Sequence, residues 1–176
     1  MKKLFLTFCL VLLMPVFAQA QVYKDFDSNF QVGLPDDWKI NMKMAEAAKT
    51  QFYAISDSGK ILLFIEKLDL PDFWANSFAD YPQDKKDAFA DFTVAEIVKG
   101  NANAWINYKG FINVLGEPVL VVQSQDNSSY NVTATLIQVT FLRDFVFYRL
   151  SFLTEDYDDS DKEQIEYVLK NFKKLY

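Results

Sequence analysis

The sequence predicts an α+β fold, strands and helices with at least one strand covered on both faces, and three observations carry that prediction. Ile61-Leu62-Leu63-Phe64-Ile65 is apolar at every position, the pattern of a strand covered on both faces. Between Ala104 and Thr154 four strand-length runs follow one another with turn residues between them. Ile165, Val168, Leu169 and Phe172 recur at i, i+3, i+4 and i+7, marking an amphipathic helix able to close over such a sheet.

The elements follow in order. Met1, Lys2 and Lys3 give a positive start, Leu4 to Phe17 is uncharged and apolar, and Ala18-Gln19-Ala20 is a small-x-small site. Together these predict a secretory signal peptide over 1–20, cleaved after Ala20. The apolar run is shorter than the roughly 20 residues of a membrane span and is broken by Pro15, which disfavours an uncleaved anchor. Cys9 lies too far inside the run to be a lipid-attachment site. The remaining 21–176 carries no linker, repeat or low-complexity segment and is expected to form a single domain, periplasmic or secreted.

Asn29 to Leu34 reads as a strand, Pro35-Asp36-Asp37 as a turn, and Trp38 to Met42 as a second extended piece. Gln51 to Ser56 and Ile61 to Lys67 flank Asp57-Ser58-Gly59-Lys60 and form a hairpin. Pro71 opens a short helix carrying Trp74, Phe78 and Tyr81 at helical spacing, and Pro82 ends it. A longer helix follows, with Phe89, Ala90, Thr93, Val94 and Ile97 on one arc, Phe92 outside it and Gly100 placed to stop it. The later strands are read as Ala104 to Asn113, Pro118 to Gln125, Asn131 to Leu142 and Phe145 to Thr154. In the last of them Val146, Tyr148, Leu150 and Phe152 share a core face, while Phe147, Arg149 and Ser151 make a half-covered one. Ser160-x-x-Glu163 is a capping box for the closing helix, with Asp158, Asp159 and Asp161 at its positive end and Lys170, Lys173 and Lys174 at its negative end.

Composition narrows the chemistry. The whole chain has no histidine and its one cysteine lies in the leader, so the exported chain lacks disulfides, thiol nucleophiles, His/Cys zinc sites and imidazole-based triads. Loss of Lys2 and Lys3 leaves 16 basic against 24 acidic residues, a net charge of −8, which repels nucleic acid and anionic headgroups. The acidic run from Glu155 to Asp161 does not fit a calcium loop, because Asp161 and Tyr167 stand where Gly and Glu are needed. No Ser-x-x-Lys and no clustered glycines occur. No metal or cofactor is expected, and the chain is read as non-enzymatic, a carboxylate-pair hydrolase being the remaining catalytic alternative.

The candidate site residues are aromatic and cationic. Phe73, Trp74, Phe78 and Tyr81, four rings in nine residues between two prolines, are read as a partner-binding patch or the rim of an apolar pocket, against the alternative of a lid packed on the sheet. Arg149, one of two arginines, interrupts a strand face; it is either a surface side chain or an anion clamp.

The entry Asn29-Phe30-Gln31-Val32-Gly33-Leu34-Pro35-Asp36-Asp37-Trp38 resembles that of PsbP-like and Mog-like proteins. Phe147-Tyr148-Arg149-Leu150-Ser151-Phe152, followed by an acidic loop and a helix running into Asn171-Phe172-Lys173, is similar to that group's last strand and closing helix. The resemblance implies an antiparallel β-sheet flanked by helices, an α/β/α sandwich, and a mostly non-catalytic, accessory role; among exported bacterial proteins the chain is similar to DcrB-type envelope proteins. The function expected is an envelope binding or accessory module acting by protein–protein contact, the alternative being a carrier or sensor of a small apolar ligand.

Overall fold

A computed structural model describes residues 21–126 and 133–176. The leader at 1–20 and the first residues of the strand expected from Asn131 lie outside the described residues. In chain order the elements are β1 (Gln21–Asp25), β2 (Phe30–Leu34), β3 (Lys39–Ile40), α1 (Met42–Ala48), β4 (Phe52–Ile55), β5 (Ile61–Leu68), α2 (Gln83–Gly100), β6 (Trp105–Val114), β7 (Glu117–Asp126), β8 (Ala134–Arg143), β9 (Val146–Glu155), α3 (Asp159–Lys170) and β10 (Phe172–Lys174). Seven strands make one antiparallel sheet in the order β3-β4-β5-β9-β8-β7-β6, and β1-β2-β10 make a smaller one. This is the predicted α+β class, an antiparallel sheet between helical layers.

Each face of the large sheet has its own apolar cluster. On one side Leu63, Ile65, Val139, Phe141, Tyr148, Leu150 and Phe152 meet the small sheet and α3. Phe172 fills the centre, with ring centroids 5.1 Å from Phe141, 5.6 Å from Tyr148 and 5.7 Å from Phe30. The Trp38 indole N–H donates to Gln164 Oε1 at 2.9 Å, fastening α3 to the turn after β2. β2 approaches α3 so closely that a Cβ at Gly33 would stand 2.8 Å from the Asn171 Cβ, which explains glycine in that strand. On the other side α2 packs Phe89, Ala90 and Ile97 against Leu120, Val122 and Phe147.

Four local readings change. The chain turns helical at Met42 instead of staying extended, because the Asn41 side chain accepts from the Met44 N–H at 3.1 Å and Met-Lys-Met-Ala-Glu-Ala-Ala is rich in helix formers. The segment after Pro71 forms two separate 3-10 turns, Pro71–Phe73 and Phe78–Asp80, instead of one helix. Its middle is drawn out straight to meet the β8–β9 turn: the Asp144 N–H donates to the Asn76 carbonyl at 2.7 Å and the Phe145 N–H to the Ala75 carbonyl at 3.1 Å. The capping box of α3 is Asp158 with Asp161, two residues before the Ser160 box, because Thr154 Oγ1 and Lys60 Nζ also reach Asp161, at 3.0 and 2.8 Å. Finally, Phe172 is buried as expected but on β10, where it pairs with Val32; α3 stops at Lys170.

Candidate functional site

The strap between β5 and α2 holds the four predicted rings. Ser77 organises its second turn: its Oγ accepts from the Ala79 N–H at 3.1 Å, while Asp80 Oδ2 accepts from the Ser77 N–H at 3.1 Å. This drives Phe78 fully inward, 5.2 Å from Phe89, 5.1 Å from Phe111 and 6.1 Å from Phe147. Tyr81 is buried edge-on to Phe78, and burial pushes its phenol up to about 12. Phe73 is half-buried between Phe89 and Phe92. Trp74, 53% exposed, is the one ring of the four that faces solvent. The strap is a lid over the α2 layer for three of its aromatics and a surface for the fourth.

Sequence reasoning missed two further exposed apolar side chains, Leu115 and Phe145, on turns at one end of the large sheet. The strap is sewn to the β8–β9 turn, whose Asp144 and Phe145 have φ of 48° and 65°; the β6–β7 turn has Leu115 and Gly116 at 52° and 88°. Two successive positive φ values give the tight hairpin reversal that Asn, Asp and Gly favour. Leu115 and Phe145 are bulky residues in that left-handed conformation, which costs roughly 1–2 kcal/mol each. Neither recovers this by burial, since Leu115 is 67% and Phe145 53% exposed. A groove of about 600 Å³ runs between the strap and the two tips, lined by Asn76, Ala79, Leu115, Arg143, Phe172 and Lys174; Trp74 and Phe145 stand outside its lining. Arg143 Nε donates to Glu117 Oε2 at 2.7 Å and Lys174 pairs with Asp144, so charged side chains fix the tips from both sides.

Arg149 lies on the α2 side of β9, directly opposite Glu66 on β5 and Thr140 on β8. Its side chain is only 13% exposed, and its one ion pair among the described residues is a loose 3.9 Å approach of Nη1 to Glu66. Burial pulls the guanidinium below its ordinary pKa, while Glu66 and Glu96 push the other way. Arg149 Nε, Thr140 Oγ1 and Gln138 Oε1 are all buried without a hydrogen-bond partner among the described residues. Beside them a cleft of about 490 Å³ opens between the last turns of α2 and strands β7 to β9.

No family model matches the chain, and no curated protein matches its sequence. Solved structures match it in shape. Cyanobacterial PsbP (CyanoP) from Synechocystis sp. PCC 6803 aligns over 92% of this chain and 95% of its own with a TM-score of 0.63 at 15% identity. The Saccharomyces cerevisiae Ran-binding protein Mog1p aligns over 90% and 96% with a TM-score of 0.57 at 7% identity. The chain has the PsbP/Mog1p fold. A protein of Bacteroides thetaiotaomicron VPI-5482 aligns over 89% of this chain with a TM-score of 0.56 at 10% identity, and the chain spans 48% of that protein's length. The PsbP/Mog1p architecture is the one implied by the Asn29–Trp38 entry and the Phe147–Phe152 strand, and a fold supports many unrelated functions. Among the described residues, no three His, Cys, Asp or Glu side chains gather to hold a metal, and no helix is long and apolar enough to cross a membrane.

Proposed function

We propose that this chain is a non-catalytic binding module of the bacterial envelope, a single domain exported and released after Ala20, that works by contact with another envelope protein. The observation that carries the reading is the display of Trp74, Leu115 and Phe145 from three segments joined at one end of the large sheet. Two of those side chains are held exposed in a conformation that stability alone disfavours, and stored strain of this kind is retained where a surface has a task. Exposed aromatic and aliphatic side chains gathered at one end of a sheet are what a partner's apolar surface covers. Mog1p is a Ran-binding protein, so the fold supports protein contact elsewhere. The experiment is photo-crosslinking in the producing bacterium, with a benzophenone amino acid placed at Trp74, at Phe145, and at Asp57 on the β4–β5 turn at the opposite end. The same discrete adduct from the first two positions and none from Asp57 is the expected result. Equal labelling at all three, or no adduct at any, would refute the reading.

A further inference from the structure

The cleft beside Arg149 is a second feature, distant from the tips: it opens at the Asp126 and Ala134 end of β7 and β8, whereas the tips cap the other end of the same strands. It shares no lining residue with the groove at the tips. Its chemistry is of two signs. At the floor, a guanidinium shielded from solvent keeps its Nε without an acceptor among the described residues and meets Glu66 only at 3.9 Å. A buried donor without an acceptor costs about 1–3 kcal/mol, more when charged, and Arg is shaped to take a carboxylate with two parallel hydrogen bonds. At the rim the sign reverses. Glu96 and Asp126 line the cleft, and so does the last turn of α2 at Gly100 and Asn101, the negative end of that helix dipole. Between the two poles the walls are apolar or small: Ile97, Ala104, Leu136 and Leu153.

A polyanion such as phosphate would satisfy the floor and be repelled by the rim, and a simple cation would do the reverse. We propose that the cleft binds a small zwitterion, a free amino acid with an apolar side chain, its carboxylate on Arg149, its ammonium group toward Glu96 and its side chain against Leu136 and Leu153. The volume is within the range of small-molecule sites. Gln138 shares the cleft, and because its amide N–H donates to Ser151 Oγ at 3.3 Å, its unpartnered Oε1 is a further acceptor for the ammonium group.

The test is titration of the purified protein with leucine and phenylalanine, followed by calorimetry and by the Arg149 Nε–H resonance, alongside compounds that each lack one pole: N-acetylleucine, leucinamide and inorganic phosphate. Saturable binding of the free amino acids that moves that resonance is expected, with removal of either pole weakening it by roughly tenfold or more, the loss of one charge-assisted hydrogen bond. Arg149→Lys should weaken leucine similarly. Leu136→Trp, which leaves the guanidinium in place and fills the cleft, should abolish binding and covers the case in which Arg149→Lys does not fold. No response to either amino acid at millimolar concentration would show Arg149 to be only a structural partner of Glu66 and overturn the proposal. Equal binding of N-acetylleucine or leucinamide, or tighter binding of phosphate, would overturn it as well.

Discussion

The two faces of the large sheet are alike in apolar content and different in how their polar atoms are settled. On the α3 face the buried polar groups are largely tied: the Trp38 indole to Gln164, the Tyr148 hydroxyl to the Ser28 carbonyl at 3.1 Å, and Asp161 to Thr154 and Lys60. On the α2 face Tyr81, Gln138, Thr140 and Arg149 each keep a buried side-chain atom with no partner among the described residues; the α3 face has Thr135 alone in that condition. Unsatisfied buried polar atoms are expensive, so a protein that closes one face and leaves them on the other is using the faces differently. The α3 layer holds the molecule together. The α2 layer carries the strap and the Arg149 cleft, and the groove at the tips lies where the strap meets β10.

The largest break in this contrast should come from the α3 face. Phe172→Ala removes the ring on which Phe30, Phe141 and Tyr148 converge and should cost about 4 kcal/mol in denaturant unfolding, within the usual range for a buried phenylalanine. A loss below 1 kcal/mol would mean that β10 is not a fixed part of the core. On the α2 face Phe78→Ala should cost about 3 kcal/mol, a little less because the strap can settle into part of the space.

A smaller effect concerns how α3 is anchored to the β4–β5 hairpin. The Lys60 hydrogen bond holds the Asp158 carboxyl below its ordinary value of 3.8. A depressed carboxylate adds stability above the unfolded pKa and loses it as the pH falls through the folded one. Asp158→Asn keeps a capping side chain and removes the charge, so it should flatten the acid limb of stability against pH below 3.8 and leave the slope above it unchanged. An unaltered acid limb would place the acid sensitivity elsewhere. The smallest effect sharpens the contrast inside the strap: Trp74→Ala should move the melting free energy by no more than about 0.5 kcal/mol while abolishing the crosslink from Phe145.

Much of the scaffold was legible because its signals are local. The continuous apolar run at Ile61–Ile65, the arc Phe89–Ile97 on α2 and the alternation Tyr148–Leu150–Phe152 each follow from one element's own period. The failures came where a distant partner decides. Phe172 continues the spacing of α3 by coincidence, and only its pairing with β2, 140 residues earlier, makes it a strand residue. Trp74, Phe78 and Tyr81 have helical spacing, but the β8–β9 turn competes for the strap backbone and wins it. Leu115 and Phe145 escaped notice because turn rules look for Gly, Asn and Asp, so a bulky residue at such a place carries no sequence signature. Arg149 stood out as an anomaly on its strand, yet whether it is paired depends on where Glu66 comes to rest.

The small sheet joins the start of the described chain to its end: β10 lies on β2, and the Tyr176 backbone N–H donates to Asn29 Oδ1 at 3.1 Å. A polypeptide emerging amino-terminus first, from a ribosome or through a pore, therefore makes β2 long before the strand that pairs with it. Because α3 and β10 follow β9 in the chain, the α3 face of the large sheet can be covered only after its central strands have been made, a folding order set by connectivity.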